Sequence, residues 1–248
     1  MAGHSQFKNI MHRKGAQDRI RAKIFSKLGR EITVAVKTGG SDINYNSRLR
    51  LAISAAKAQN MPKDNIERAI KKGSPGEDSS IYEEIRYEGM GPHGVAFIVE
   101  ALTDNRARTA PNVRSIFSKK GGNLGETNSV AFNFERIGYI EFPLKVATQD
   151  AMFEAGLEAG ADDVVTDEEC HQIITKPTDL GAVREILEKT FGTPDAARLD
   201  FRALNTVTLN QEQAEAVLAL EEALNEDDDV QRVYANYDIS DEIMEKIG

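Results

Sequence analysis

Cationic side chains are concentrated at the N-terminal end of the chain, where they could neutralise the phosphates of a nucleic acid. Lys and Arg do so by displacing condensed counterions, and the small polar residues His4 and Ser5 add hydrogen-bonding groups suited to a narrow crevice. The candidate nucleic-acid contacts are His4, Ser5, Lys8, His12, Arg13, Lys14, Arg19, Lys23, Lys27, Arg30, Arg48, Arg50, Arg106 and Arg108.

The charge is divided between the two ends of the sequence. Residues 1–73 carry 16 Lys and Arg against 5 Asp and Glu, a net charge of +11. Residues 74–248 carry 15 against 35, a net charge of −20, and the whole chain carries −9. Such a division indicates a basic module for an anionic partner, most commonly nucleic acid, joined to an acidic body. Attraction between the two parts of the chain is the alternative.

The basic part is predicted to be helical. Residues 1–15 lack helical periodicity and are predicted to form a flexible arm. From Ala16 onward, apolar residues share one side of a helical projection and cations gather on another, which predicts an amphipathic helix that ends at 38–41. Further helices are predicted over 47–59 and from Pro62 to Gly73, followed by a linker.

The remainder alternates strands and helices. In order, the predicted elements are strands 84–88 and 95–102, helix 107–120, strands 130–135 and 139–142, helix 149–159, strands 163–165 and 171–175, helix 180–191, strand 198–204, helix 211–225 and strand 230–234. The elements from 139 to 204 follow the β-α-β-β-α-β order of a ferredoxin-like fold.

The predicted fold class is therefore α+β and multi-domain. A three-helix domain with its arm and linker takes residues 1–80. An α+β domain takes 81–136 together with 208–248, and a ferredoxin-like α+β domain is inserted at 137–207. Three consecutive domains are the alternative.

The helical domain is a poor match to a helix-turn-helix reader of base sequence. The loop over 38–46 is longer than the usual turn, and no helix carries the cluster of Arg, Asn and Gln that reads base edges. Arg48, Arg50 and Lys57 are typical of phosphate contacts, which favours recognition of the nucleic-acid backbone. The turn over 103–108 adds a second basic spot, although Asp104 or Asn105 could simply cap the following helix.

Catalytic chemistry is not expected. Cys170 and His171 are adjacent, so on a strand they point to opposite faces, and no Cys and His set has zinc spacing. The acidic runs at 162–163, 167–169 and 226–229 are typical of solvated turns. We expect no enzyme activity, cofactor, metal or small-molecule substrate.

The sequence predicts a chain of the cytoplasm with no membrane partner. No apolar run approaches the roughly 18 residues that span a bilayer, and the apolar stretch over 7–10 is too short for a secretory signal. Cys170 is the single cysteine, which indicates a reducing compartment.

Several motifs resemble the YebC family, which includes the mitochondrial translational activators of cytochrome oxidase. These are GHS at 3–5, HRK at 12–14, KLGREITVA at 27–35, NMPKDNI at 60–66, YEG at 87–89, LTDNR at 102–106 and FSKKGGNLG at 117–125. The resemblance covers nearly the whole chain. One departure is Pro111, which moves the expected start of its helix from Ala107 to about Ala110.

The resemblance implies a helical N-terminal domain, two α+β domains, no catalysis, and a location in bacterial cytoplasm or the mitochondrial matrix. Members have been described as DNA-binding transcription regulators, and some as translation factors that act on the ribosome, including at proline-rich stalls. The leading hypothesis is a non-enzymatic factor that binds the ribosome or its RNA through the basic domain. The alternatives are a DNA-binding transcription regulator and a protein scaffold that uses the acidic body.

Overall fold

The computed structural model of the chain describes residues 17–247, with side chains from Arg21 onward. The predicted flexible arm over 1–15 lies outside the described residues, as do the candidate contacts His4, Ser5, Lys8, His12, Arg13 and Lys14.

The described residues form eight α-helices and ten β-strands. The helices are α1 (Gln17–Gly39), α2 (Ser47–Ala58), α3 (Lys63–Gly73), α4 (Arg106–Lys119), α5 (Gln149–Glu158), α6 (Leu180–Phe191), α7 (Gln211–Glu226) and α8 (Asp241–Ile247). The strands are β1 (Glu83–Met90), β2 (Ala96–Thr103), β3 (Asn123–Leu124), β4 (Phe134–Pro143), β5 (Asp163–Thr166), β6 (Cys170–Thr175), β7 (Ala196–Ala203), β8 (Val207–Thr208), β9 (Val230–Ala235) and β10 (Tyr237–Asp238). None of these helices is long and apolar enough to cross a membrane.

The chain divides into two compact units, each built from segments that are separated in sequence. One contains residues up to 27 with 80–135 and 202 onward, and the other contains 28–79 with 136–201. The three-domain division of the sequence stays a prediction.

The predicted N-terminal helices form where their local sequence directs them. Helix α1 buries Ile32 and Ala35 completely, in agreement with the predicted apolar stripe. Helix α2 begins after Asn46, whose side-chain oxygen accepts the Leu49 N–H at 3.0 Å and caps the helix. Helix α3 follows Pro62, whose fixed φ of −58° suits a helix start.

The first sheet joins segments that are distant in sequence. Its strand order is β3-β1-β2-β9, with β1 and β9 both antiparallel to β2. Helices α4 and α7 contribute Phe117, Leu220 and Leu224 to a core over this sheet, and Phe97 and Val99 contribute from β2. Because β9 follows the whole β4–β7 cycle in sequence, one α+β domain is inserted in the other, as predicted.

The inserted cycle forms a second four-stranded sheet. Its order is β5-β6-β4-β7, which places the first and third strands of the cycle at the centre, as in a ferredoxin-like fold. Met152 of α5 and Leu187 of α6 pack against Ile140, Phe142 and Ile173 of the sheet. The ferredoxin-like prediction is confirmed.

The strand predicted over 130–135 is wrong in its first half. Residues 131–133 form a 3₁₀ turn, and β4 begins at Phe134. The cause is Glu88, a buried carboxylate on β1 that accepts the N–H groups of Val130 and Ala131 at 3.1 Å each. These two donors are consumed by a side chain, so they cannot enter a strand ladder.

The expected shift of the α4 start to Ala110 is also wrong. The helix begins at Arg106 because Asn105 caps it, accepting the Arg108 N–H at 3.1 Å. Pro111 lies inside the helix, where its missing N–H removes one backbone hydrogen bond. The sequence reading also missed α8 and the short strands β3, β8 and β10.

A carboxyl group is buried in the core of the first sheet. Glu221 of α7 is 3% exposed, and the Tyr237 hydroxyl donates a hydrogen bond to its Oε2 at 2.6 Å. Burial raises the pKa of Glu221 to about 7, although the Tyr237 hydrogen bond opposes the shift. The folded chain therefore binds more protons at this site than the unfolded chain between about pH 4.5 and 7.

We expect Glu221→Gln to change how stability depends on pH. In the wild type, ionisation of the buried Glu221 carboxyl lowers the free energy of unfolding more and more as pH rises through this window. The amide of the variant cannot ionise, and its oxygen still accepts the hydrogen bond from Tyr237. The variant should gain about 2–4 kcal/mol relative to wild type between pH 4.5 and 8, measured by urea unfolding. Glu222→Gln, at an exposed neighbour, is the control. Parallel pH curves for Glu221→Gln and wild type would contradict the assignment.

Candidate nucleic-acid interface

The predicted cations of α1 are partly neutralised by acidic residues of their own compact unit. Lys23 forms an ion pair with Asp228, in the acidic loop over 226–229 that follows α7. The ammonium of Lys27 donates to the Asn225 side-chain oxygen at 3.2 Å. Burial lowers the pKa of Lys27 to about 8, and the nearby cation Arg232 adds to this shift. Lys23 and Lys27 therefore contribute to the packing of their own compact unit.

The predicted arginines of α2 are also held by carboxylates. Arg48 forms a two-point ion pair with Glu31 of α1, with N···O distances of 2.7 and 3.2 Å. Arg50 donates from Nε to Glu188 of α6 at 3.0 Å and from Nη1 to the Ile43 carbonyl at 3.1 Å. Both side chains are half-buried, so they position elements as well as carry charge.

Two further predicted contacts, Arg19 and Arg30, also belong to α1. Arg19 is within the helix, but its side chain lies outside the described residues. Arg30 is half-buried on the same helix.

A polar cluster joins the turn that leads into α4 to Asp229, the residue before β9. The Asp229 carboxylate is nearly buried and accepts from Arg108 Nη2 at 2.8 and 2.9 Å and from the Thr109 hydroxyl at 2.7 Å. Thr103 Oγ1 lies 3.3 Å from the same carboxylate. The hydrogen bond to Asp229 raises the pKa of Arg108, which also contacts Asp104. The Arg108 side chain is 48% exposed but is held by Asp229 and Asp104, whereas the neighbouring exposed Arg106 forms no ion pair within the described residues.

The structure exposes a different set of cations, of which the sequence analysis selected only Lys57. Helix α3 turns Ile66 and Ala69 inward, which leaves Arg68 and Lys71 on its outer face. Within the part of the chain that the structure describes, neither of these two side chains forms an ion pair. The exposed cations of this surface, called the α3 face below, are Lys57, Lys63, Arg68, Lys71 and Lys72.

Two members of the α3 face make only weak pairs. Lys63 lies 3.4 Å from Glu67, with both side chains exposed, and such pairs contribute about 0–1 kcal/mol. Lys72 lies 3.9 Å from the largely buried Asp78, at the outer limit for an ion pair, and its own side chain is 57% exposed. A helical projection of 63–73 would have found the four cations of α3, because the apolar residues alone define which side is outside.

Groups that could have supported catalysis have structural roles. The His171 imidazole lies between Thr166 Oγ1, 2.7 Å from Nδ1, and the Ala147 carbonyl, 3.1 Å from Nε2. Cys170 is buried. Among residues 17–247, no three His, Cys, Asp or Glu side chains are grouped as a metal site would require.

Comparisons with known proteins account for both parts of the chain. A family model described as the TACO1/YebC protein N-terminal domain matches residues 5–76, and one described as the TACO1/YebC second and third domain, Transcrip_reg, matches residues 82–237. The chain belongs to the TACO1/YebC family. The resemblance seen in the sequence motifs is therefore confirmed.

A solved structure agrees with this membership. The crystal structure of a conserved hypothetical protein from Aquifex aeolicus is 47% identical, with a TM-score of 0.79. The match covers 94% of this chain and 96% of that chain. The likeness thus extends over nearly the whole length of both proteins.

The contrast between Arg106 and Arg108 gives a test of the Asp229 cluster. Arg108→Ala leaves the buried Asp229 carboxylate without its counter-charge, so we expect a loss of about 2–4 kcal/mol in the free energy of unfolding. Arg106→Ala, two residues away and exposed, should stay within about 0.5 kcal/mol of wild type. Urea unfolding followed by circular dichroism measures both. Equal losses would show that Asp229 does not depend on Arg108.

The acidic loop gives a second test. Asp228→Asn releases Lys23 from its ion pair, so affinity for a single-stranded RNA should rise by about two- to fivefold at low salt. Glu242→Gln makes the same charge change at an exposed residue of α8 that pairs with Lys246, and it should leave RNA affinity within error. Fluorescence anisotropy with a labelled oligonucleotide compares the two. An equal rise in both variants would point to net charge alone.

Proposed function

We propose that this chain is a non-enzymatic factor of gene expression that binds the ribosome through contacts of its helical region with ribosomal RNA. Membership of the TACO1/YebC family supports a regulatory role in gene expression, since one of its models carries the description Transcrip_reg. The net negative charge of the acidic α+β parts repels phosphate, which would limit the binding of other polyanions to the chain.

The observation that carries the proposal is the α3 face. Its cations are exposed on one short helix and the end of its neighbour, where adjacent helical turns place side chains about 5–6 Å apart. Each Lys or Arg that reaches a phosphate releases a counterion, which makes binding both favourable and salt-dependent. The predicted contacts Lys23, Lys27, Arg48 and Arg50 are held in ion pairs or hydrogen bonds and become available only if those contacts open.

The chemistry of the α3 face favours backbone recognition over base reading. Asp64 and Glu67 lie among the cations on the outer side of the helix. Inside a groove, these carboxylates would meet phosphates and the acceptor-rich edges of purines, which is unfavourable. Contacts along the outside of a folded RNA avoid this cost.

One observation supports a DNA-binding regulator as the second candidate. Helices α2 and α3 are joined by the four residues 59–62, which is the turn length of helix-turn-helix motifs. The loop that is too long for such a motif is the one between α1 and α2. A comparison of ribosomes with duplex DNA therefore decides between the two candidates.

We expect the wild-type chain to co-sediment with ribosomes and to dissociate steeply as salt rises. Arg68→Glu with Lys71→Glu should weaken binding at least tenfold and should make the salt slope shallower by about one to two. Removal of residues 1–15 should also weaken binding, because it removes Lys8, Arg13 and Lys14.

The matched control is Lys145→Glu with Lys176→Glu, which makes the same charge change at exposed positions of the inserted domain. If the control weakens ribosome binding as much as the α3 pair does, the α3 face is not the contact. Tight, sequence-selective binding to duplex DNA would favour the regulator. If the chain bound neither ribosomes nor duplex DNA, the hypothesis of a protein scaffold would remain.

A further inference from the structure

The loop between α1 and α2 holds a tyrosine out in solvent. Tyr45 is 90% exposed, the highest value among the large hydrophobic side chains of the described residues, and Ile43, two residues earlier, is 47% exposed. A ring in this position contributes almost nothing to the core, and its hydration is unfavourable. Its role must therefore be sought outside the fold.

The base of this loop is fixed by Asn46. The side chain is 5% exposed, and its amide donates to the Ala35 and Gly40 carbonyls at 2.7 Å each while its oxygen caps α2. Gly39 leaves room for it, since a Cβ there would lie 2.7 Å from the Asn46 amide nitrogen. Both ends of the loop are therefore tied to helices.

The tip of the loop is fixed by Asp42. Its carboxylate accepts the Asn44 backbone N–H at 2.9 Å, and its carbonyl accepts the N–H groups of Asn46 at 2.9 Å and Tyr45 at 3.3 Å. Arg50 holds the tip from outside, through its hydrogen bond to the Ile43 carbonyl. The loop is thus pre-organised, so a ligand that meets Tyr45 does not have to order the backbone first.

We infer that Tyr45 is a stacking platform for an unpaired base of RNA. The ring is open to solvent, and Ile43 of the same loop is also exposed. The exposed Asn44 uses its amide nitrogen on Asp42 at 3.1 Å, which leaves its amide oxygen as an acceptor for a base. The compact unit that contains Tyr45 also carries the exposed cations of the α3 face, which would hold the phosphates of the same strand. A base within a duplex is already stacked on both faces, so the ligand is a single-stranded segment.

This inference rests on the proposed function, because it needs an RNA partner, and it assigns a different contact from the α3 face. Phosphate contacts attract any strand, whereas an aromatic platform distinguishes strands with accessible bases. The two kinds of contact can therefore be separated by changing the bases while keeping the phosphates.

The test uses the full chain and three probes of equal length: a single-stranded oligouridylate, an RNA duplex and an abasic strand. Tyr45→Ala should lower affinity for the single strand by about 5- to 100-fold and leave the other two within about twofold. Tyr45→Phe keeps the ring and should bind as wild type does. Phe132→Ala removes another exposed aromatic side chain, 73% exposed, and serves as the matched control.

A spectroscopic readout is available because the chain contains no tryptophan. Tyr45→Trp introduces a single fluorophore whose emission should be quenched by the single strand and not by the abasic strand. Phe132→Trp places the same fluorophore on another loop and should stay unquenched. Circular dichroism melting checks that each variant remains folded.

The outcomes separate the two proposals. If the wild-type chain binds none of the RNA probes and no ribosomes, the proposed function and this inference both fail. If the wild type binds and Tyr45→Ala binds equally well, the stacking role alone is wrong. Equal quenching of Tyr45→Trp by the abasic strand would also overturn it. If Tyr45→Ala weakens ribosome binding but not oligouridylate binding, Tyr45 contacts protein instead of a base.

Discussion

A charge that leaves water needs a counter-charge, and this constraint shapes the most polar parts of the chain. Asp229 is the clearest case, because its carboxylate is nearly buried and is compensated by Arg108 and the Thr109 hydroxyl. Around it converge the end of β2, the start of α4 and the approach to β9. Segments separated by more than a hundred residues are thus joined by one acid.

Under the same constraint, the cations of the basic stretch fall into two groups, those paired within the chain and those left exposed. Lys23 pairs with Asp228, and Arg50 pairs with Glu188, so part of the basic stretch stabilises its own compact unit through the acidic part of the sequence. Attraction within the chain and attraction for an external anion were alternative explanations of the charge division. The ion pairs show that attraction within the chain operates. The exposed cations of the α3 face remain available to attract an external anion. Exposure, more than charge density, distinguishes the two groups.

Much of the fold could be predicted because its signals are local. The apolar stripe of α1, Pro62 before α3 and the order of elements from 139 to 204 each gave a helix, a boundary or a topology that the structure retains. The start of α4 was missed although its Asn105 cap is local, but the error over 130–135 has a distant cause. Glu88 takes the N–H groups of Val130 and Ala131 from more than forty residues away, and no local pattern reveals that.

The candidate site was less predictable for a related reason. A list of cations can be read from the sequence, but whether Arg50 meets Glu188 depends on residues 138 positions apart. Helical projection would have selected Arg68 and Lys71 without any tertiary information. Tyr45 could not have been selected, since a tyrosine between two asparagines gives no sign of whether its ring is buried. Its exposure follows from the hydrogen bonds of Asp42 and Asn46.

The inserted cycle has a consequence for how the chain is made. Strand β2 pairs with β1 on one side, but its other edge waits for β9, which follows it by roughly 130 residues. At the synthesis rates of roughly 5–20 residues per second, the nascent chain presents that edge for about 6–25 s. The edge is apolar, since Ala96 through Val99 are fully buried in the finished sheet, and such edges are sites of aggregation. A chain that ends prematurely between 204 and 229 would keep this edge open permanently.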